Sequence, residues 1–201
     1  LKKNATVVVK TIVLSNKRVL LIIAILAIIF ILYSFNSSAY WIRNITKRLP
    51  KHPTKKYKNR KIDQIESVII HHSATDISAT PDSIARYHVG VNSHLQEGGA
   101  PGIAYHYLID YKGNVFQVNS LKTIAWHTSG QNTRSVGVCM IGDFDNQPPS
   151  IDQYKSLVKL LRFLKNSLNK RLKILGHREF ANKSCPGDHV NIHSINKMVY
   201  G

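Results

Sequence analysis

The sequence predicts an α/β fold. A single domain with a central mixed β-sheet flanked by helices follows an N-terminal transmembrane helix and a basic linker. Three observations carry this expectation. Short β-rich apolar runs alternate with helical patterns from residue 62 onward, which is how layered α/β domains are built. Val19 to Tyr33 is an unbroken apolar run. Positive charge is concentrated before residue 62, where a segment containing Pro50 and Pro53 shows no apolar periodicity.

The charge divides the chain. Of 28 Lys and Arg, five lie in residues 1–18 and nine in residues 36–61, while all eleven acids lie at Asp63 or later. The remaining fourteen cations against eleven acids leave the C-terminal part at +3 of the total +17. Such a tail argues for contact with an anionic lipid or wall surface more than for a DNA-reading face. Residues 1–18 read as a basic segment and 19–35 as a transmembrane anchor, with Lys17 and Arg18 in front. A cleaved signal sequence is the alternative, because Ser37-Ser38-Ala39 has cleavage-like spacing. The positive-inside count is a tie, with five cations on each side. Residues 36–61 read as a linker extended by like-charge repulsion. Two cysteines allow at most one disulfide and say little about compartment.

The domain begins near Ile62. Ser67 to Ile70 is an apolar, β-branched run expected to form a buried strand. Thr80-Pro81-Asp82 starts a helix reaching about Val89: Thr80 caps, Pro81 fits the first turn, and Asp82 meets the positive end of the dipole. Residues 90–102 form a long glycine-containing loop. Ala104–Ile109 and Val115–Val118 form a hairpin around the turn Asp110–Asn114. Ser135–Ile141 is a further strand. Ser150 and Gln153 have capping-box spacing and open the longest helix, with Ile151, Tyr154, Leu157, Val158, Leu161, Leu164 and Leu168 along one stripe. Leu172–Leu175 is the last strand, followed by a polar loop.

Three segments carry chemistry: His71-His72 at the end of the first strand, His177 at the end of the last, and Cys185 in the following loop. Two imidazoles and a thiolate are ligands that zinc prefers, and three protein ligands leave a position open, as in catalytic sites. Spacing alone leaves a metal site and ordinary structural histidines both open.

The runs IIHHSAT, GIAYHYLIDYKGNVFQ, AWHTSG, SVGVCMIGDF and LGHRE…KSCPG, in this order, resemble the type 2 N-acetylmuramoyl-L-alanine amidases. That family includes phage amidase-lysozymes, bacterial amidases and animal peptidoglycan-recognition proteins. The resemblance covers about residues 62–190. It implies a zinc-dependent hydrolase that cuts the amide between N-acetylmuramic acid and L-alanine in peptidoglycan. It implies His71, His177 and Cys185 as zinc ligands, Tyr105 and Lys183 as catalytic residues, and His127 as a residue contacting the wall substrate. His72 is not carried over as a ligand, and His106 reads as structural. Some bacterial members have a catalytic glutamate where this chain has Cys139, so the chain looks like the phage subtype. The expected partners are a muropeptide substrate and a membrane, with no nucleic acid, and the expected state is a monomer. The expected location is membrane-anchored with the domain outside the cytoplasm, or secreted after cleavage. A recognition module that binds wall fragments without cutting them is the competing reading.

Overall fold

The computed structural model describes residues 16–37 and 41–201, with side chains at 19–30 and 41–201. The chain divides into two units, Leu1–Tyr40 and Trp41–Gly201.

In the first unit, helix α1 spans Asn16–Ser37. Its side chains from Val19 to Phe30 are exposed and apolar. Among the described residues, no helix is long and apolar enough to cross a membrane, so the transmembrane anchor expected at 19–35 is not supported. The cleavage-like Ser38-Ala39 and most of the basic segment 1–18 lie outside the described residues.

The second unit is the mixed sheet that the sequence predicts. In chain order its elements are β1 (Ile42–Asn44), β2 (Ser67–His72), α2 (Pro81–Val89), β3 (Tyr107–Ile109), β4 (Val115–Gln117), β5 (Ser135–Met140), α3 (Ile151–Ser167), β6 (Lys173–Gly176) and α4 (Ile192–Tyr200). The sheet order is β1-β4-β3-β5-β2-β6. Only β3 and β4 pair antiparallel; the other neighbours are parallel. Every residue of β2 and β5 is buried, as expected for parallel strands covered on both faces.

Side-chain alternation sorts the two faces. Val68, Ile70, Val136, Val138 and Met140 join Leu157, Leu160, Leu161 and Leu164 of α3, and Ile195 and Val199 of α4, in the larger core. Leu108, Cys139 and Ile141 pack with Ile84 and Ala85 of α2 in the smaller one. His71 pairs in register with Cys139 and therefore points to the α2 face. Both predicted helix starts form: Thr80 Oγ1 accepts from the Ser83 N–H, and Ser150 Oγ accepts from the Gln153 N–H. The buried Gln153 also donates through Nε2 to Ile141 O at 2.9 Å, tying α3 to the end of β5.

Three expectations change. Residues 41–61 are not an extended linker. Ile42–Asn44 adds an edge strand to β4, Leu49 is buried, and Trp41 packs edge-on against Phe163. Like-charge repulsion is countered in this segment where two of its cations, Lys55 and Arg60, are held by carbonyls. Lys55 Nζ donates to Glu97 O and Gly99 O. The Arg60 guanidinium donates to the carbonyls of Leu121, Asn132, Thr133 and Ser135 at 2.6–3.1 Å. Next, β3 starts at Tyr107 rather than Ala104, because Asn119 Nδ2 takes the Ile103 and Tyr105 carbonyls at 2.7 Å. Finally, the polar loop after β6 ends in helix α4, capped by Asn191 Oδ1 on the Ser194 N–H.

Candidate metal centre

Strand ends build the site. His71 is the next-to-last residue of β2, and His177 follows β6 in a single 3-10 turn, His177–Glu179. Since β2 and β6 are adjacent and parallel, with Ile70 opposite Gly176, the two imidazoles leave the sheet side by side, with ring centroids 4.6 Å apart. Cys185 comes from the loop beyond, where the Arg178 N–H donates to Cys185 O at 2.7 Å. One ligand atom from each of His71, His177 and Cys185 lies within 4.8 Å of the others. His71 Nδ1 is 3.7 Å from Cys185 Sγ, so this nitrogen faces the group.

The surroundings favour neutral imidazoles. Burial pushes His71 well below the ordinary range, helped by the neighbouring His127 and His177. Burial, then the Lys183 charge, takes His177 down to about 4. Burial raises the Cys185 thiol to about 11. Neutral imidazole is the ligand form, and a thiol in so apolar a place becomes thiolate only with a cation against it. Two such nitrogens and one sulfur fit zinc better than a hard cation, and they leave room for a fourth ligand.

A second group, His72 with Asp143 and Asp145, is also close enough to hold an ion. Its atoms are otherwise engaged. His72 Nδ1 accepts from the Phe144 N–H at 3.2 Å. Asp145 accepts from Ser184 Oγ at 2.6 Å and from the Asp188 N–H at 3.1 Å.

Tyr105, His127, His177, Lys183 and Cys185 line one cavity of about 380 Å³. Tyr105 also borders a neighbouring cavity of about 500 Å³ next to α2. Its ring is tilted against His71, with centroids 5.2 Å apart. Burial, helped by the neighbouring Cys139 and Cys185 thiols, holds its phenol well above the ordinary pKa. Lys183 is exposed at the cavity rim. His127 is only 5% exposed. His106 is fully buried and structural, as expected: its Nδ1 accepts from the Gly137 N–H, and its Nε2 donates to Thr123 O.

Sequence reasoning missed three residues at this site. Cys139 reads as a small buried hydrophobe, yet its thiol meets Tyr105. Arg60 reads as a linker charge, yet it organises the carbonyls of the loop that carries His127. Gly137 gives no sequence signal, yet a Cβ there would lie 2.5 Å from His127 Cγ. The strand pairing His71↔Cys139 would have exposed the first; nothing in the sequence exposes the others.

The fold and the donor set define a class: an α/β domain in which two histidines near the C-terminal ends of parallel strands and a loop cysteine form a group that could hold a metal ion. A family model described as N-acetylmuramoyl-L-alanine amidase matches residues 61–188, and the chain belongs to that family. Peptidoglycan-recognition protein 1 of Holotrichia diomphalia is 31% identical over 128 residues, 62% of this chain and 64% of that one. Peptidoglycan-recognition protein LB of Drosophila melanogaster is 30% identical over 124 residues, 60% of this chain and 53% of that one. The chain thus spans between half and two-thirds of the length of these curated relatives. Among solved structures, the amidase LysC from Clostridium intestinale superposes with a TM-score of 0.63 at 21% identity, covering 78% of this chain and 95% of that one. This last likeness speaks to the fold.

Proposed function

We propose that this chain is a zinc-dependent N-acetylmuramoyl-L-alanine amidase, hydrolysing the amide that joins N-acetylmuramic acid to L-alanine in peptidoglycan. The observation that carries the reading is the complete donor set: His71, His177 and Cys185 within 4.8 Å beside a cavity. His71, His177 and Cys185 would hold the ion. Zinc at this position supplies Lewis-acid activation of water and of the amide carbonyl.

The chain's own groups do the rest. Tyr105, kept neutral by burial, serves as a hydrogen-bond donor from its hydroxyl rather than as a phenolate base. Donation to the carbonyl oxygen strengthens as negative charge develops there, which lowers the barrier selectively. The Lys183 ammonium at the rim stabilises the same charge. The proton shed by the attacking water passes through the Tyr105 hydroxyl, or a water it holds, to the departing L-alanine amine, so the phenol stays neutral overall. The wall substrate places this work outside the cytoplasm.

A second reading has one observation in its favour: the relatives at 30–31% identity are named recognition proteins. The same domain would then bind muropeptide without cutting it. One experiment separates the two. The purified chain is analysed for zinc and incubated with peptidoglycan, and free muramoyl ends and new L-alanine amino termini are measured. Near-equimolar zinc with both products, abolished by Cys185→Ala, is the expected result. Zinc without products on any wall type would leave recognition.

A further inference from the structure

We propose that His127 is a positioning residue for His71: its Nδ1 accepts a hydrogen bond from the His71 Nε2–H and thereby fixes which nitrogen His71 presents to the metal. This inference rests on the proposed zinc site and deepens it.

The geometry assigns each proton in turn. His71 Nδ1 faces Cys185 Sγ, so Nδ1 is the nitrogen available to a metal and must be unprotonated to ligate. A neutral imidazole then carries its proton on Nε2. The nearest polar atom to His71 Nε2 is His127 Nδ1 at 3.1 Å, followed by Thr128 Oγ1 at 3.4 Å. His127 is arranged to accept. Its own Nε2 lies 3.3 Å from Ser135 Oγ and 3.5 Å from Ser135 O. Ser135 Oγ spends its proton on Gln131 O at 2.7 Å, so its lone pairs face the His127 ring. His127 Nε2 is therefore the protonated nitrogen, and Nδ1 is left as a bare acceptor.

The ring's place is enforced. A Cβ on residue 137 would lie 2.5, 2.8 and 2.9 Å from His127 Cγ, Cδ2 and Cβ. Only glycine lets the imidazole lie against β5 and reach His71. Thr128 Oγ1, 3.1 Å from His127 Nδ1, closes the third corner. Metal-binding histidines usually donate their second N–H to a carboxylate or carbonyl; here the acceptor is another imidazole. His127 has both nitrogens engaged and 5% of its surface exposed. Beside the wall contact that the resemblance implies, it gains a role exerted through His71.

The test uses the full chain, 15N-labelled and loaded with zinc, with side-chain NMR as the primary readout. His71 is expected to be protonated at Nε2, with a coupling across the hydrogen bond to His127 Nδ1. His127→Leu removes the acceptor, and zinc affinity in chelator competition is expected to fall about 10–100-fold. His127→Asn can place an acceptor near the old Nδ1 position and is expected to recover most of that loss. Zinc binding without the coupling in the wild-type protein would overturn the inference even if His127→Leu cannot be folded. Unchanged zinc affinity in a folded His127→Leu that binds wall fragments poorly would return His127 to the substrate. Failure of the wild-type chain to bind zinc would sink this inference together with the metal site, an outcome distinct from zinc without coupling.

Discussion

Replacing Arg60 with Met tests whether residues 41–61 are structural. Arg60 is 6% exposed and donates to four backbone carbonyls, those of Leu121, Asn132, Thr133 and Ser135. Hydrogen bonds to a charged group contribute ~1.5–3 kcal/mol each, so a bare sum would exceed ~6 kcal/mol. Two effects reduce it. Burial lowers the Arg60 pKa to about 10, which marks a desolvation cost that disappears with the charge. Methionine also keeps most of the buried stem, and some freed carbonyls reach water. A net loss of ~3 kcal/mol is expected, or about 6–12 °C in Tm for a domain of this size. Arg60→Lys should fall between the two proteins, because one ammonium cannot span four carbonyls. Urea melts give the free energy, and amide exchange across residues 121–135 shows where it is lost. An unchanged midpoint with unchanged exchange in that loop would refute the reasoning and restore the segment to a dispensable linker.

Three further outcomes are expected. Lys183→Ala should lower turnover about 100-fold, on the scale of losing one charge-stabilising donor, while zinc content stays near equimolar; parallel loss of both would count against its assigned role. Leu161→Ala should cost ~2–5 kcal/mol in urea melts, since Leu161 is only 2% exposed in the larger core, and a cost below ~1 kcal/mol would contradict the packing. Acid should destabilise the domain through His106 and His88, which burial lowers to about 3 and about 4. Both pKa values lie below the ordinary 6.5, so between these limits the unfolded chain binds more protons. Stability therefore falls as pH drops from about 6.5 toward 4, by up to ~1.4 kcal/mol per pH unit for each histidine. Urea midpoints that stay level from pH 7 to 4.5 would exclude this origin.

Elements with local signatures were legible in the sequence. The Thr80 and Ser150 caps, the stripe from Leu157 to Leu164 and the β-branched run at Ser67–Ile70 each encode their structure within a few residues. Strand β1 was not legible, because three residues with two exposed carry no period; its identity comes from β4, some seventy residues away. Helix α4 left a faint trace in Asn191, Ile195 and Val199, hidden by its shortness. The donor residues were legible because strand ends place side chains reliably. The supports were not. Arg60 and the second nitrogen of His71 acquire meaning only from neighbours 46 and 56 positions away in the chain, and Gly137 from His127 in a loop outside its own strand; no periodicity reports such contacts. The charge count also misled: a lysine or arginine held by carbonyls looks the same in a composition as one in water.

The edge strand β1 has a bearing on how this chain can be divided. The family match starts at residue 61, yet the strand that covers β4 lies before it, at Ile42–Asn44, with the Ile45 N–H extending the pairing to Gln117 O. A fragment trimmed to the matched region would bare the outer backbone of Val115–Gln117. An uncovered row of amide and carbonyl groups recruits strands from other molecules. Such a fragment would keep every proposed zinc ligand and still be prone to self-association, so an inactive precipitate from it would report on its missing border and say nothing of its chemistry.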